Sequence, residues 1–250
     1  MAGSRFADVG DAGSDIDMYV YAAEPVPVAR RGAIAARFAS RLEIGNAFWE
    51  PGDEWIDAET GVHVDVMYRT PDWIEEHLER VLVRREASLG YSTCFWHNVL
   101  NSTPLCDRTG WYRRLQTTAD RPYPEALKRA IVARNHPVLR HSLSSYLHQI
   151  ERAVQRGDSV SVQHRVTALL ASYFDILFAV NGLPHPGEKR QLLFAMTRCE
   201  RRPPEMERHL NALLQIAPRP ATPAILAAVN PLLDDLDSWL MDQGLLRATS

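Results

Sequence analysis

The fold of the N-terminal half is decided by the stretch Gly13-Ser14-Asp15-Ile16-Asp17-Met18-Tyr19-Val20. Its polar and apolar residues alternate, which is the period of a β-strand with two different faces. The alternation predicts that Asp15, Asp17 and Tyr19 share one face and that the apolar residues between them share the other. Two carboxylates are therefore expected side by side on a strand over residues 16–21.

A second alternating stretch, VHVDVM at residues 62–67, has the same character. Its valines predict a buried face, and Asp65 falls on the opposite face together with His63. We expect a strand over residues 62–68 and a helix over residues 29–42 between the two strands. In this β-α-β pattern Asp65 is the third carboxylate of a cluster with Asp15 and Asp17.

Three converging carboxylates need a countercharge. Two unit charges about 4 Å apart repel by about 4 kcal/mol at an effective dielectric constant of about 20. Oxygen ligands without cysteine favour Mg²⁺ or Mn²⁺ over Zn²⁺, and Mg²⁺ is commonly held by a few carboxylates and by substrate phosphates. We therefore predict that Asp15, Asp17 and Asp65 bind a metal that takes part in nucleotide chemistry.

The composition excludes several classes of function. Hydrophobic residues make up 46% of the 250 residues and charged residues 24%, which is typical of a folded globular protein. The formal net charge of -3 gives no broad attraction for a polyanion, so long nucleic acid is not expected as a partner. The three cysteines lack C-x-x-C spacing, and no secretory or membrane-spanning segment is evident, so we expect a soluble cytoplasmic protein without a membrane partner.

The chain changes character near residue 120. Before it, strand and helix patterns mix, with a helix predicted over residues 71–86 and a strand or hairpin over residues 105–115 that turns at Thr109-Gly110. After it, only helical periods follow, predicted over residues 125–134, 138–156, 159–181, 187–200, 204–217 and 222–243. We expect an α+β protein, with a mixed α/β domain over residues 1–120 and an all-helical domain over residues 121–250.

A Gly-Ser pair stands ahead of the aspartates. A Gly-Ser turn at a helix start presents backbone N–H groups and a hydroxyl to a phosphate. Here Gly3-Ser4 is followed by ten residues and then by the Asp-x-Asp pair of Asp15 and Asp17. With Val64-Asp65-Val66 further on, the three parts in this order resemble the signature of the DNA polymerase β superfamily of nucleotidyltransferases.

The resemblance implies a fold and an activity. Such enzymes have a mixed α/β catalytic domain and often a helical C-terminal domain, as in antibiotic and minimal nucleotidyltransferases. Here Asp15, Asp17 and Asp65 would hold Mg²⁺ or Mn²⁺ and catalyse transfer from a nucleoside triphosphate, with ATP expected. The residues expected to contact the nucleotide are Gly3, Ser4, Ser14 and, from the helical domain, Lys189. Family members normally have a helix and a strand before the Gly-Ser turn, where this sequence has Met1 and Ala2, so either the true start lies upstream or the sheet lacks these two elements.

The acceptor and the general base stay open. Some small-molecule nucleotidyltransferases use a carboxylate outside the metal triad, and Glu50, Asp53 and Glu54 are candidates in the loop expected before the second strand. The acidic residues 50–57, flanked by Trp49 and Trp55, suit a cationic acceptor such as an aminoglycoside-like or lincosamide-like compound. Two alternatives are modification of a protein partner, as in toxin-antitoxin pairs, and a degenerate nucleotide-binding module without turnover.

Overall fold

The computed structural model describes residues 15–216 and 221–247. Within these ranges the chain forms one four-stranded mixed sheet and ten helices, which confirms the α+β class. The described residues divide into two compact units. The first contains residues 15–83 and 95–121, and the second contains residues 84–94 and the described residues from 122 onward. None of the described helices is both long and apolar enough to cross a bilayer.

The sheet lies in the first unit. Its strands are β1 (Ile16–Tyr21), β2 (Ala39–Asn46), β3 (Gly52–Asp57) and β4 (His63–Arg69), and their spatial order is β1-β4-β3-β2. β1 and β4 pair in parallel, whereas β3 pairs antiparallel with both β4 and β2. The strands predicted over residues 16–21 and 62–68 are confirmed, the second with a shift of one residue at each end.

The helix predicted over residues 29–42 is wrong in its second half. Helix α1 (Val28–Ala35) ends early, and the following residues form β2. Leu42 and Ile44 pair with residues of β3, so hydrogen bonding to a neighbouring strand overrides the local helical pattern. The acidic stretch predicted as a loop before β4 is likewise mostly strand, because residues 52–57 form β3 itself.

Three further helices complete the first unit: α2 (Pro71–Leu82), α3 (Cys94–Asn101) and α4 (Trp111–Ala119). Thr70 caps α2 by accepting a hydrogen bond from the backbone N–H of Trp73 at 3.2 Å. The strand or hairpin predicted over residues 105–115 is wrong. Gly110, at φ 68°, begins α4 instead of turning a hairpin, and the Asp107 carboxylate accepts from the backbone N–H groups of Tyr112 and Arg113.

The second unit is helical after its first eleven residues, 84–94. Its helices are α5 (Glu125–Arg140), α6 (Tyr146–Gln155), α7 (Ser159–Val180), α8 (Gln191–Arg198), α9 (Met206–Ile216) and α10 (Pro223–Asp242). The break predicted between residues 134 and 138 is wrong, because α5 continues through Pro137 to Arg140. A proline removes one helical hydrogen bond, and the buried residues Val132 and Leu139 on either side show that packing holds the helix across that gap.

Helix α7 forms the centre of the second unit. Eight consecutive residues, 173–180, are buried, and the helix packs against both α5 and α6. Asp158 caps its N-terminus by accepting from the backbone N–H of Ser161 at 3.0 Å. A helix that is apolar on all sides is expected at the core of a bundle, and the neighbouring helices surround it accordingly.

The segment of residues 84–94 joins the second unit through buried hydrogen bonds. The backbone N–H of Gly90 donates to Asn135 Oδ1 at 2.9 Å, and the backbone N–H of Ser92 donates to Asp175 Oδ1 at 3.0 Å. Gly90 has φ +74°, and a Cβ there would lie 3.0 Å from that of Ala171. Glycine is therefore required where this segment meets α7.

Candidate active site

The three aspartates lie on one face of the sheet. Asp17 and Asp65 are directly opposite each other in the parallel pairing of β1 and β4, and Asp15 precedes Asp17 by two residues. Because side chains alternate along a strand, Asp17, His63 and Asp65 point to the same side. Asp15 immediately precedes β1, and its Oδ1 lies 3.7 Å from His63 Nδ1 on that side. Val64 and Val66, which flank Asp65, are buried on the other side.

A fourth carboxylate, which the sequence did not assign to this face, is that of Glu54. It is the partner of Asp65 in the pairing of β3 with β4, so Asp17, Asp65 and Glu54 form a row across three strands. The His63 ring lies between acids, with Nε2 3.2 Å from Glu54 Oε2 and Nδ1 3.7 Å from Asp15 Oδ1. Glu54 was one of three acids proposed as the general base, but its position on this face was not predicted, because residues 52–57 were interpreted as a loop, in which side-chain direction is undetermined.

The electrostatics of this row favour a bound cation. Burial raises the pKa of the Asp65 carboxyl above its usual range, and repulsion from Glu54 and Asp17 raises it further. His63 offsets part of that effect. Neighbouring acids in a partly buried row are a setting in which a hard divalent cation would stabilise the ionised carboxylates. The oxygen donors of these acids therefore fit Mg²⁺ or Mn²⁺.

The carboxylate oxygens of Asp15, Asp17 and Asp65 do not form a compact group of ligand atoms. Among residues 15–216 and 221–247, the one group of three metal-ligating side chains whose ligand atoms all lie within 4.8 Å of one another is elsewhere, at His136, His141 and Asp237. The pairing of β1 with β4 therefore provides a shared face for Asp17 and Asp65, not a compact set of ligand atoms.

The other two candidate bases have cationic partners. Glu50 forms a paired hydrogen bond with Arg69 at 2.7 and 2.8 Å. Asp53 is 1% exposed, lies on the opposite face, and contacts Arg31 at 3.4 Å. Of the three acids proposed from the sequence, Glu54 is therefore the one that lies on the aspartate face.

The two flanking tryptophans also differ from the sequence interpretation. Trp55 is opposite Val64 in the β3–β4 pairing, so it lies on the face away from the aspartates. Trp49 is 94% exposed in the connection between β2 and β3. Within the acidic stretch of residues 50–57, Glu50 and Asp53 are engaged by arginines.

An aromatic cluster lies further along the same face. The Arg69 guanidinium stacks 4.7 Å from the ring centre of Tyr19 and 4.3 Å from that of Trp73. Beside it, Tyr21 packs on Trp111 and Tyr112 with ring centres 5.4 and 5.7 Å apart. These last three residues line a cavity of about 480 Å³, which is bounded by residues 18–21, 102–109, 111 and 112.

Four further residues, Gly3, Ser4, Ser14 and Lys189, were predicted to contact the nucleotide. Gly3, Ser4 and Ser14 lie outside the described residues. Lys189 lies in the turn that precedes α8, in the second unit. Arg190, which follows it, has a left-handed backbone at φ 57° and begins that helix.

Comparison with known proteins gives no family for this chain: no protein-family model matches it, and neither does any curated protein sequence.

Proposed function

We propose that this chain is a metal-dependent nucleotidyltransferase that transfers a nucleoside monophosphate from a nucleoside triphosphate to a hydroxyl of a small acceptor. The observation that carries the proposal is the direct pairing of Asp17 with Asp65 on parallel strands, with Asp15 on the same face. The spacing from Gly3-Ser4 to these acids and the resemblance to the polymerase β superfamily support the same activity. The N-terminal unit would be its catalytic domain.

Asp15, Asp17 and Asp65 would hold Mg²⁺ or Mn²⁺ through carboxylate oxygens. When bound, the metal would supply charge neutralisation for the triphosphate and would lower the pKa of the attacking hydroxyl. In the transfer, the acceptor oxygen forms a bond to the α-phosphorus, the bond from that phosphorus to the bridging oxygen breaks, and pyrophosphate leaves. The protein contributes mainly by positioning the two substrates.

The acceptor proton needs a base, and we assign that role to Glu54. It stands next to Asp65 in the row of carboxylates, and its contact with His63 orients one oxygen. A carboxylate in this position takes the proton as the hydroxyl attacks.

The aromatic cavity beside β1 is our candidate for the acceptor or the nucleobase. Its volume of about 480 Å³ falls within the range of small-molecule sites, and aromatic walls with a few polar groups are typical of them. Met18 and Tyr19, which line it, directly follow Asp17 in β1. A planar or apolar ring fits these walls better than a polycation does.

The proposal is tested by measuring pyrophosphate release. The purified chain would be incubated with Mg²⁺, each of the four nucleoside triphosphates and a panel of hydroxylated acceptors, including aminoglycosides and lincosamides. Acceptor-dependent pyrophosphate release is the expected result. Mg²⁺-dependent nucleotide binding in a calorimeter without any release would instead indicate a binding module, and label transferred from ATP to a polypeptide would indicate a protein acceptor.

A Glu54→Gln variant tests the assigned base. We expect the turnover rate to fall by about 10²-fold or more, because the proton then lacks its acceptor. Calorimetry should show nearly unchanged affinity for the Mg²⁺-nucleotide complex. The matched control is Glu59→Gln, since Glu59 is an exposed glutamate in the turn between β3 and β4. An unchanged rate in Glu54→Gln, or an equal loss of nucleotide binding, would exclude a role as base.

A further inference from the structure

Two helices of the second unit bring together a different set of metal-ligating side chains. His136 lies near the end of α5, His141 is the residue that follows that helix, and Asp237 lies on α10. The ligand atoms of these three residues all lie within 4.8 Å of one another. The closest pair is His136 Nε2 and Asp237 Oδ1 at 2.6 Å, and His141 Nε2 is 3.5 Å from Asp237 Oδ2.

The group is held in place by its surroundings. His136 is buried, and the side chains of His136 and Asp237 are 9% and 14% exposed. Arg140 Nε donates to Asp237 Oδ2 at 2.9 Å, while its Nη1 contacts Asp234 Oδ1 at 2.6 Å. Asp237 Oδ2 is thus oriented by the guanidinium, and Oδ1 faces the histidine. In many metal sites, a carboxylate binds the metal through one oxygen while its second oxygen accepts a hydrogen bond from a neighbouring residue, as Asp237 Oδ2 does from Arg140.

The net charge around these three side chains is negative, which favours a bound cation. With neutral histidines, the two carboxylates of Asp234 and Asp237 carry one more negative charge than Arg140 offsets. The ligands also lie at the C-terminal end of α5, where the helix dipole favours positive charge. A metal ion at this position would replace the proton that His136 and Asp237 share across 2.6 Å.

The ligand types select the class of metal. Two imidazole nitrogens and one carboxylate oxygen suit Zn²⁺, Co²⁺, Ni²⁺ or Fe²⁺, whereas Mg²⁺ prefers oxygen ligands alone. Distances of about 2.0–2.2 Å from each ligand to Zn²⁺ place any two ligand atoms no more than about 4.4 Å apart, and the atoms of this group lie within 4.8 Å of one another.

One side of the group is accessible. The His141 side chain is 46% exposed, and a cavity of about 330 Å³ borders His136 and Pro137. Three protein ligands with an accessible fourth position are typical of zinc sites that bind water or a small ligand. We propose that His136, His141 and Asp237 form a transition-metal site of the Zn²⁺ type with one open coordination position, separate from the aspartate face of the first unit.

Titration of the metal-free chain with Co²⁺ tests this site. One equivalent of Co²⁺ should give the intense visible absorption of a four- or five-coordinate ion, and Zn²⁺ should abolish it. His141→Ala should weaken the affinity by more than about 100-fold, since loss of even an outer-shell partner typically costs 10–100-fold. The matched control is His164→Ala, an exposed histidine on α7, which should bind as the wild type does.

A second measurement separates this site from the acids of the first unit. Asp65→Asn should keep the Co²⁺ absorption unchanged, and Zn²⁺ should raise the thermal midpoint of the wild type but not of His141→Ala. The proposal is overturned if the wild type gives no such absorption, if His141→Ala binds Co²⁺ as tightly as the wild type, or if Asp65→Asn removes the absorption.

Discussion

Replacing Asp65 with asparagine is expected to lower nucleotidyl transfer by at least about 10³-fold, the upper range for loss of one group that stabilises transition-state charge. Asparagine has the size of aspartate, so the strand pairing with Asp17 should persist. The charge that holds the metal would be lost. The measurement is the rate of pyrophosphate release with Mg²⁺ and the best acceptor, and with Mn²⁺ in parallel.

A matched control is available in the same unit. Asp120, which follows α4, is exposed, and Asp120→Asn removes one negative charge without touching the aspartate face. Its rate should remain within about twofold of the wild type, as surface substitutions usually have small effects. Residual transfer by Asp65→Asn above one tenth of the wild-type rate, with folding intact by circular dichroism, would contradict the assignment of Asp65 to the metal.

The two strands that carry the aspartates could be predicted because their local pattern agrees with their final environment. In both β1 and β4, apolar residues alternate with polar ones, and the apolar side of β4 is buried as the pattern predicts. The adjacency of Asp17 and Asp65 then followed from the β-α-β order. In this part of the chain, local and tertiary preferences point the same way.

The strand that carries Glu54, and with it the face on which that acid lies, could not be predicted, for a tertiary reason. Residues 39–46 have a composition that a helix also accepts, and β3 contains three acids that are poor strand formers. Each strand exists because the other supplies hydrogen bonds, and Asp53 is tolerated because Arg31 and the backbone N–H of Gly45 bind its carboxylate. Neither partner is visible from local sequence.

Contacts between side chains that are distant in sequence could not be predicted from local sequence either. The separation of His136 from Asp237 is 101 residues, and only the packing of α5 with α10 brings their side chains into contact. Residues 84–94 belong to the second unit, and their hydrogen-bond partners Asn135 and Asp175 lie 45 and 83 residues away from Gly90 and Ser92. Periodicity predicts that a helix exists, but it does not predict which polar groups on that helix find partners.

The buried carboxylate of Asp175 is expected to make stability depend on pH. Asp175 is 1% exposed, and burial raises the pKa of its carboxyl from 3.8 to about 7, although hydrogen bonds from Ser92 and Asn135 lower it in part. Between about pH 4 and pH 7 the folded state therefore holds a proton that the unfolded state has released. The contribution of Asp175 to the free energy of unfolding is fully present below about pH 4. It is lost as the pH rises through about 7, and the total change is about 4 kcal/mol.

An Asp175→Asn variant should lose this dependence. Its free energy of unfolding, measured by urea denaturation from pH 4 to pH 8, should fall less than that of the wild type, and the difference between the two curves isolates Asp175 from other titrating groups. The exposed Asp242 at the end of α10 provides the control, since Asp242→Asn should leave the wild-type slope unchanged. Parallel curves for the wild type and Asp175→Asn would mean that the hydrogen bonds from Ser92, at 3.0 and 2.6 Å, and from Asn135, at 3.2 Å, keep the carboxylate ionised despite its burial.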